Sequence, residues 1–233
     1  IASNRLKYSV DKNEQQDSAK ILKIQIRSIY KMKIKRFIGG LLESNGYIIY
    51  QKDGGDAYLI DPGYNSKVFI EYIKEHSFSL KGILLTHHHY DHSGVADRVK
   101  AVFDCPIYLH RRDCDIYFRE FKRNADIYME DGDVFDLEGE EIRVIHTPGH
   151  TGGGVCFMSD KSKVCFTGDT IFNVDLGRTD LEGGSEEEMI DSILNIIDKW
   201  PNDIMIYPGH GDGCTMKKVR QINSEFLDIV NKR

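Results

Sequence analysis

No run of apolar residues in this 233-residue chain approaches the ~20 that a membrane-spanning helix needs, and no signal-peptide pattern is visible. Positive charge is in short supply as well. Lysine and arginine number 31 against 37 aspartates and glutamates, giving a net charge of −6 and a pI near 5.9. That balance argues against a general nucleic-acid or membrane surface. The one basic patch, Lys31–Arg36, alternates with apolar residues as a half-exposed strand does. There is no C-x-x-C pair, and the five cysteines are odd in number. Cys156 and Cys165 lie in strand-like runs and read as core thiols, so the pattern suits a reducing cytoplasm. Internal repeats and low-complexity segments are absent too, and the length suits one sizeable core.

What the chain does have is Thr86-His87-His88-His89-Tyr90-Asp91-His92, placed directly after the apolar stretch Gly82-Ile83-Leu84-Leu85. It reads H-x-H-x-D-H: imidazole nitrogens and a carboxylate, the donors that zinc and borderline divalent metals accept. In extended geometry His87 and His89 point to one side, while His88 and Tyr90 point elsewhere. Asp91 and His92 follow at the turn, where they can face a second ion. One metal rarely needs so many side chains from one loop, so a two-metal site is the natural reading.

Three further ligands recur downstream in one grammar of apolar strand, glycine-containing turn, then ligand. His150 follows Glu141–Ile145 and Thr147-Pro148-Gly149, Asp169 follows Val164-Cys165-Phe166 and Thr167-Gly168, and His210 follows Ile204-Met205-Ile206 and Tyr207-Pro208-Gly209. Ligands carried on several strand ends converge on one edge of a sheet in an α/β protein. His76, His110 and His146 lack this grammar and read as surface or satisfied core histidines.

Strand-like runs are predicted at Ile34–Ile38, Tyr47–Gln51, Ala57–Ile60, Gly82–Leu85, Ile107–Leu109, Ile142–Ile145, Val155–Met158, Val164–Thr167 and Ile204–Tyr207. Helices are predicted over Ser66–Glu75, Val95–Val102, Ser185–Trp200, with Ser185 as its cap, and Lys217–Val230. These patterns establish an α/β chain.

The ordered set, Asp61 in Leu59-Ile60-Asp61-Pro62-Gly63, the H-x-H-x-D-H run, His150, Asp169 and His210, resembles the metallo-β-lactamase-fold hydrolase superfamily. Within it the chain looks most like the small type II glyoxalases (hydroxyacylglutathione hydrolases), through Gly168–Phe172 and Leu176–Ser185. The resemblance runs from about Met32 to the C-terminus and implies a four-layer αβ/βα sandwich of two mostly antiparallel sheets flanked by helices. Residues 1–31 are then an N-terminal extension of open structure and 32–233 the domain. Leu22, Ile24 and Ile26 alternate with polar residues as a strand could, and a chain opening on Ile points to a segment upstream or a start at Met32.

Carried over by position, the resemblance implies that His87, His89 and His150 hold one metal and that Asp91, His92 and His210 hold the other. Asp169 would bridge them, and Asp61 would steady the histidine loop from behind. The implied cofactors are two divalent ions, zinc first, with iron or manganese as alternatives. Two ions ~3.5–4 Å apart can share a water and lower its pKa towards ~7, with Asp91 and Asp169 at the reacting centre. A thiol leaving group of pKa near ~8.5 departs with little help from an acid, so the expected substrate is a small thioester or ester. Arg178 is the candidate for a substrate carboxylate, with an ion pair to Asp175 or Asp180 as the alternative. A bridging Asp169 disfavours a β-lactamase. Two other readings stay open: a persulfide dioxygenase with a single iron, and a non-catalytic metal-binding module.

Overall fold

The computed structural model describes residues 31–232. The expectations placed on the N-terminal segment, Leu22, Ile24 and Ile26 included, lie outside the described residues. Tyr47-Ile48-Ile49-Tyr50 offers no polar position, so a strand built from it must be covered on both faces. It forms the centre of β2 (Ser44–Tyr50), every residue of which is buried. β2 pairs antiparallel with β1 (Lys33–Gly39) and β3 (Asp56–Ile60). The sheet then continues in parallel through β4 (Ser79–Leu84), β5 (Ile107–His110) and β6 (Ile127–Met129).

Expecting this sheet to be mostly antiparallel was wrong, since three of its five pairings are parallel. Parallel neighbours need crossovers, and four helices supply them. α1 (Ser66–Glu75) joins β3 to β4, α2 (Tyr90–Ser93) and α3 (Ala96–Phe103) join β4 to β5, and α4 (Cys114–Phe121) joins β5 to β6.

A second six-stranded sheet runs in the order β12-β11-β10-β9-β8-β7. Its strands are β7 (Val134–Asp136), β8 (Glu141–His146), β9 (Val155–Ser159), β10 (Val164–Gly168), β11 (Met205–Pro208) and β12 (Cys214–Thr215). Only β10 and β11 pair in parallel. Alternation along the strands distributes three cores. Tyr47, Ile49 and Ile60 face Val144, Phe157 and Phe166 between the sheets. Ile48 and Leu59 pack outward on Phe69 and Ile73 of α1 and Val99 of α3. Cys156, Cys165 and Ile206 pack outward on Met189 and Ile193 of α5 (Glu186–Asn195) and on Val219 of α6 (Met216–Ile222). Three cores between four layers make a helix–sheet–sheet–helix sandwich. No helix among the described residues is long and apolar enough to cross a membrane.

Two predicted helices are broken. Ser185 caps α5 through its hydroxyl, which accepts from Glu188 N at 3.2 Å, but the helix ends at Asn195 and a 3₁₀ turn, Ile197–Lys199, follows. The predicted Lys217–Val230 helix divides into α6 and α7 (Ser224–Asn231) at Asn223. Asn223 Oδ1 accepts from Phe226 N at 2.9 Å, and its Nδ2 donates to the carbonyls of Phe172 and Asp175. An N-cap and two loop bonds from one buried amide outweigh continuity of the helix. The short β6, β7 and β12, and helix α4, carry too few alternating positions to be read from the sequence.

Phe157 is fully buried between the sheets. Phe157→Ala is expected to cost ~3–5 kcal/mol in unfolding free energy, because the strands on either side cannot collapse into the space. Urea unfolding checks this, and a loss below 1 kcal/mol would show a core that relaxes.

Candidate metal centre

Five strand ends meet at one edge of the sandwich. β3 ends at Ile60 before Asp61, β4 at Leu84 before the histidine run, β8 before His150, β10 before Asp169, and β11 before His210. The parallel pairings of β3 with β4 and of β10 with β11 set their common direction. The two sheets are tied together at this edge by Val155 N donating to Thr86 O (2.9 Å), Asn45 N to Gly209 O (2.7 Å), and the Tyr47 hydroxyl to Pro208 O (2.6 Å). The edge is therefore rigid before any ligand is considered.

His87, His89 and His150 each bring a ligand atom to within 4.8 Å of the others, and so do Asp91, His92 and His210. His89 Nδ1 lies 2.9 Å from His150 Nε2, and His92 Nε2 lies 3.2 Å from His210 Nε2. Asp91 Oδ2 is 3.2 Å from His92 Nε2 and 3.1 Å from His210 Nε2. Asp169 stands between the groups, its Oδ1 3.4 Å from His92 Nε2 and its Oδ2 3.6 Å from His150 Nε2 and 3.4 Å from His210 Nε2. Asp61, His87 and His92 also converge, but both Asp61 oxygens are engaged with Thr86. Oδ1 accepts from Thr86 N (2.8 Å) and Oδ2 from the Thr86 hydroxyl (2.6 Å).

Partners on the outward nitrogens decide which lone pairs face inward. With its own proton given to Asp61, the Thr86 oxygen is left to accept from His87 Nδ1 at 3.0 Å. His150 Nδ1 donates to Arg178 O (2.7 Å) and His210 Nδ1 to Leu42 O (2.9 Å). His92 Nδ1 stands 3.3 Å from Asp61 Oδ2. Each of these outward contacts turns its ring so that Nε2 faces the other donors. His87 Nε2 is buried with no hydrogen-bond partner among the described residues. An unpartnered buried acceptor costs ~1–3 kcal/mol, and a cation among these donors would remove that cost. The residues present fit a divalent metal.

Electrostatics distinguishes the two groups. Burial pushes the imidazoles of His87 and His150 below the ordinary range and His89 down to about 4, so all three are neutral donors. Burial also opposes charge on His92 and His210, but carboxylates overcome it. Asp169 raises His92 well above its usual value, and Asp169 and Asp91 raise His210 to about 9. The same histidines outweigh burial at Asp91 and Asp169, holding both carboxyls well below the carboxylate range. Without an ion, protons on His92 and His210 supply the positive charge this side requires.

Arg178 does not reach the centre with its guanidinium. Its Nε and Nη2 grip Asp180 at 2.7 and 2.8 Å in the open, so the ion-pair alternative describes its side chain. Its carbonyl is the part that meets the centre, through His150. His88 points away, as expected, with Nδ1 on Asp113 Oδ2 at 3.1 Å. Sequence reasoning missed Thr86, Asp113 and the carbonyls of Arg178 and Leu42. A backbone carbonyl leaves no residue-type signal, and Asp113 sits in Arg111-Arg112-Asp113-Cys114, which has no ligand grammar.

The family described as "Metallo-beta-lactamase superfamily" matches residues 39–210. An uncharacterized protein of Mycobacterium tuberculosis is 33% identical over 226 residues, which cover 86% of this chain and 100% of that protein. The Bacillus velezensis protein named "Probable polyketide biosynthesis zinc-dependent hydrolase BaeB" is 36% identical over 167 residues, 72% of each chain. Among solved structures, the B3 metallo-beta-lactamase BLEG-1 is similar at a TM-score of 0.75 and 30% identity, covering 82% of this chain and 98% of that one.

Gly209 tests how tightly the centre is built. A Cβ there would overlap Asp169 Oδ1 and lie 2.7 Å from His92 Cε1. Gly209→Ala is expected to lower divalent-metal content after dialysis while far-UV circular dichroism stays unchanged. Full metal retention would show that Asp169 and His92 have room to move.

Proposed function

This chain belongs to the metallo-beta-lactamase superfamily, and from that premise we propose that it is a binuclear metal-dependent hydrolase of a small thioester or ester, in the manner of hydroxyacylglutathione hydrolases. One observation carries the reading: two groups of three donors, with the carboxylate of Asp169 within 3.6 Å of imidazole nitrogens in both. His87, His89 and His150 would hold one ion, Asp91, His92 and His210 the other, and Asp169 both. Zinc is the first choice, in keeping with the name of the Bacillus relative, with iron or manganese as alternatives.

Ions held there would make water acidic enough to ionise near neutrality and would polarise the scissile carbonyl. The protein's own contribution is orientation. Thr86, Leu42 O and Arg178 O orient His87, His210 and His150 with Nε2 towards the site, and the sheet edge holds the groups at a set spacing. Asp91 and Asp169 are the carboxylates that face the reacting atoms. A thiolate leaving group needs no dedicated acid, which suits a centre whose other imidazoles are engaged as donors. Arg178 can take a substrate carboxylate by exchanging it for Asp180. The five cysteines are free and buried, in keeping with a reducing cytoplasm.

The test is hydrolysis of a glutathione thioester by metal-loaded protein. It should stop on chelation and return with zinc, manganese or iron. Asp169→Ala should lower both metal content and turnover with the fold retained. Two ions at full occupancy in that variant would put the bridge elsewhere. Turnover of a β-lactam but of no thioester, or oxygen uptake with a glutathione persulfide on one iron, would replace the proposed reaction.

A further inference from the structure

Asp113 is fully buried, yet it is a carboxylate that touches neither group of donors. It ends the 3₁₀ turn Arg111–Asp113 that follows β5. Its Oδ2 accepts from His88 N (2.9 Å), His88 Nδ1 (3.1 Å) and the Thr151 hydroxyl (2.9 Å), and its Oδ1 accepts from Gly153 N (2.6 Å). Burial alone would raise its pKa, but the His88 ring, Thr151 and Gly153 hold it below the ordinary value. A buried charge costs several kcal/mol unless every lone pair is used. Here four donors from two loops use them.

Those loops carry the three-histidine group. His88 lies between His87 and His89, and Thr151 adjoins His150. We propose that Asp113 is a positioning residue for the metal centre, one carboxylate that clamps the His87–His89 loop to the His150–Gly153 loop and sets the spacing of that group. The role rests on the metal-binding reading above. The second group has separate anchors: Leu42 O on His210, and the Ser44 hydroxyl donating to Asp91 O at 2.7 Å. A loosened Asp113 clamp therefore acts first on the ion of the three-histidine group. The fit is close enough to forbid substitution on the far side, since a Cβ on Gly153 would lie 2.6 Å from Asp113 Oδ1.

Asp113→Asn keeps the shape and removes the symmetry of the acceptor. Whichever way the amide turns, its NH₂ meets donors: towards Gly153 it removes one of the two bonds to the His150–Gly153 loop, and towards His88 and Thr151 it removes bonds to both loops, so the clamp is weakened either way. Outer-shell partners that position ligands are commonly worth 10–100-fold in metal affinity, and a loss towards the lower end of that range is expected at the three-histidine ion, with a smaller one at its neighbour through Asp169. The measurement is competitive zinc titration of metal-free protein against a chromophoric chelator, with circular dichroism to establish folding. The wild type should bind two zinc ions tightly, and Asp113→Asn one tightly and one weakly. Thr151→Val removes a single donor and should give a several-fold loss at the same ion, and it decides the matter if Asp113→Asn does not fold. Wild-type affinity at both ions, or an equal loss at both as a general loosening would give, overturns the role. A wild type that binds no zinc overturns the metal reading itself and this role with it.

Discussion

The centre depends first on one buried carboxylate in an unfavourable backbone conformation. Asp61 has φ 50, a left-handed conformation that residues other than glycine adopt at a cost of ~1–2 kcal/mol. The parallel register of β3 on β4 sets Ile60 opposite Leu84 and so brings Asp61 beside Thr86. There its two oxygens take both the amide and the hydroxyl of Thr86. The hydroxyl, with its proton committed, accepts from His87, and the same carboxylate stands against His92. One residue thus fixes the start of the histidine run and the orientation of a ring from each group of donors. Charge-assisted hydrogen bonds of this kind are about twice as strong as neutral ones, enough to offset the backbone strain.

The sandwich makes that arrangement possible. Apolar side chains fill the space between the sheets up to the edge, with Tyr47, Phe166 and Tyr207 in mutual edge and stacked contact beneath it. Directly above, the backbone turns polar, and its groups are satisfied by each other across the sheets, as Asn45 and Gly209 show. Ligand loops grown from such an edge inherit its rigidity, and this is why five segments far apart in sequence can hold donors within a few ångströms of one another.

Legibility followed locality. His87, His89, Asp91 and His92 sit within six residues on one turn, and His150, Asp169 and His210 share a strand–glycine–ligand pattern, so all seven could be named from the chain alone; the structure gathers six of them into two groups of three and sets Asp169 within 3.6 Å of both. The strands that were read correctly are those carrying at least three apolar residues, Tyr47–Tyr50 and Ile142–Ile145 among them. What the sequence hid was non-local. Asp113 owes its place to partners 25 to 40 residues away, and Asn223 breaks a helix for loop carbonyls about 50 residues upstream. The parallel pairings of the first sheet come from crossovers, whose handedness and target leave no mark on strand composition. Arg178 was singled out for its charge, whereas its carbonyl is what contacts the centre.

The two groups of donors also differ in a way that bears on how they would fill. One is three imidazoles, neutral because burial disfavours their charge. The other gathers Asp91 and Asp169 around His92 and His210, with Asp61 behind. Carboxylates this close repel unless positive charge lies among them, and in a buried setting that repulsion is weakly screened. His92 and His210 answer it by holding protons beyond their ordinary range. An ion entering that side must displace those protons, whereas an ion entering the three-histidine side meets neutral imidazoles and displaces only the proton shared by His89 Nδ1 and His150 Nε2. Asp169, in contact with both, couples them: a cation on either side stabilises its charge and alters what the other side must supply.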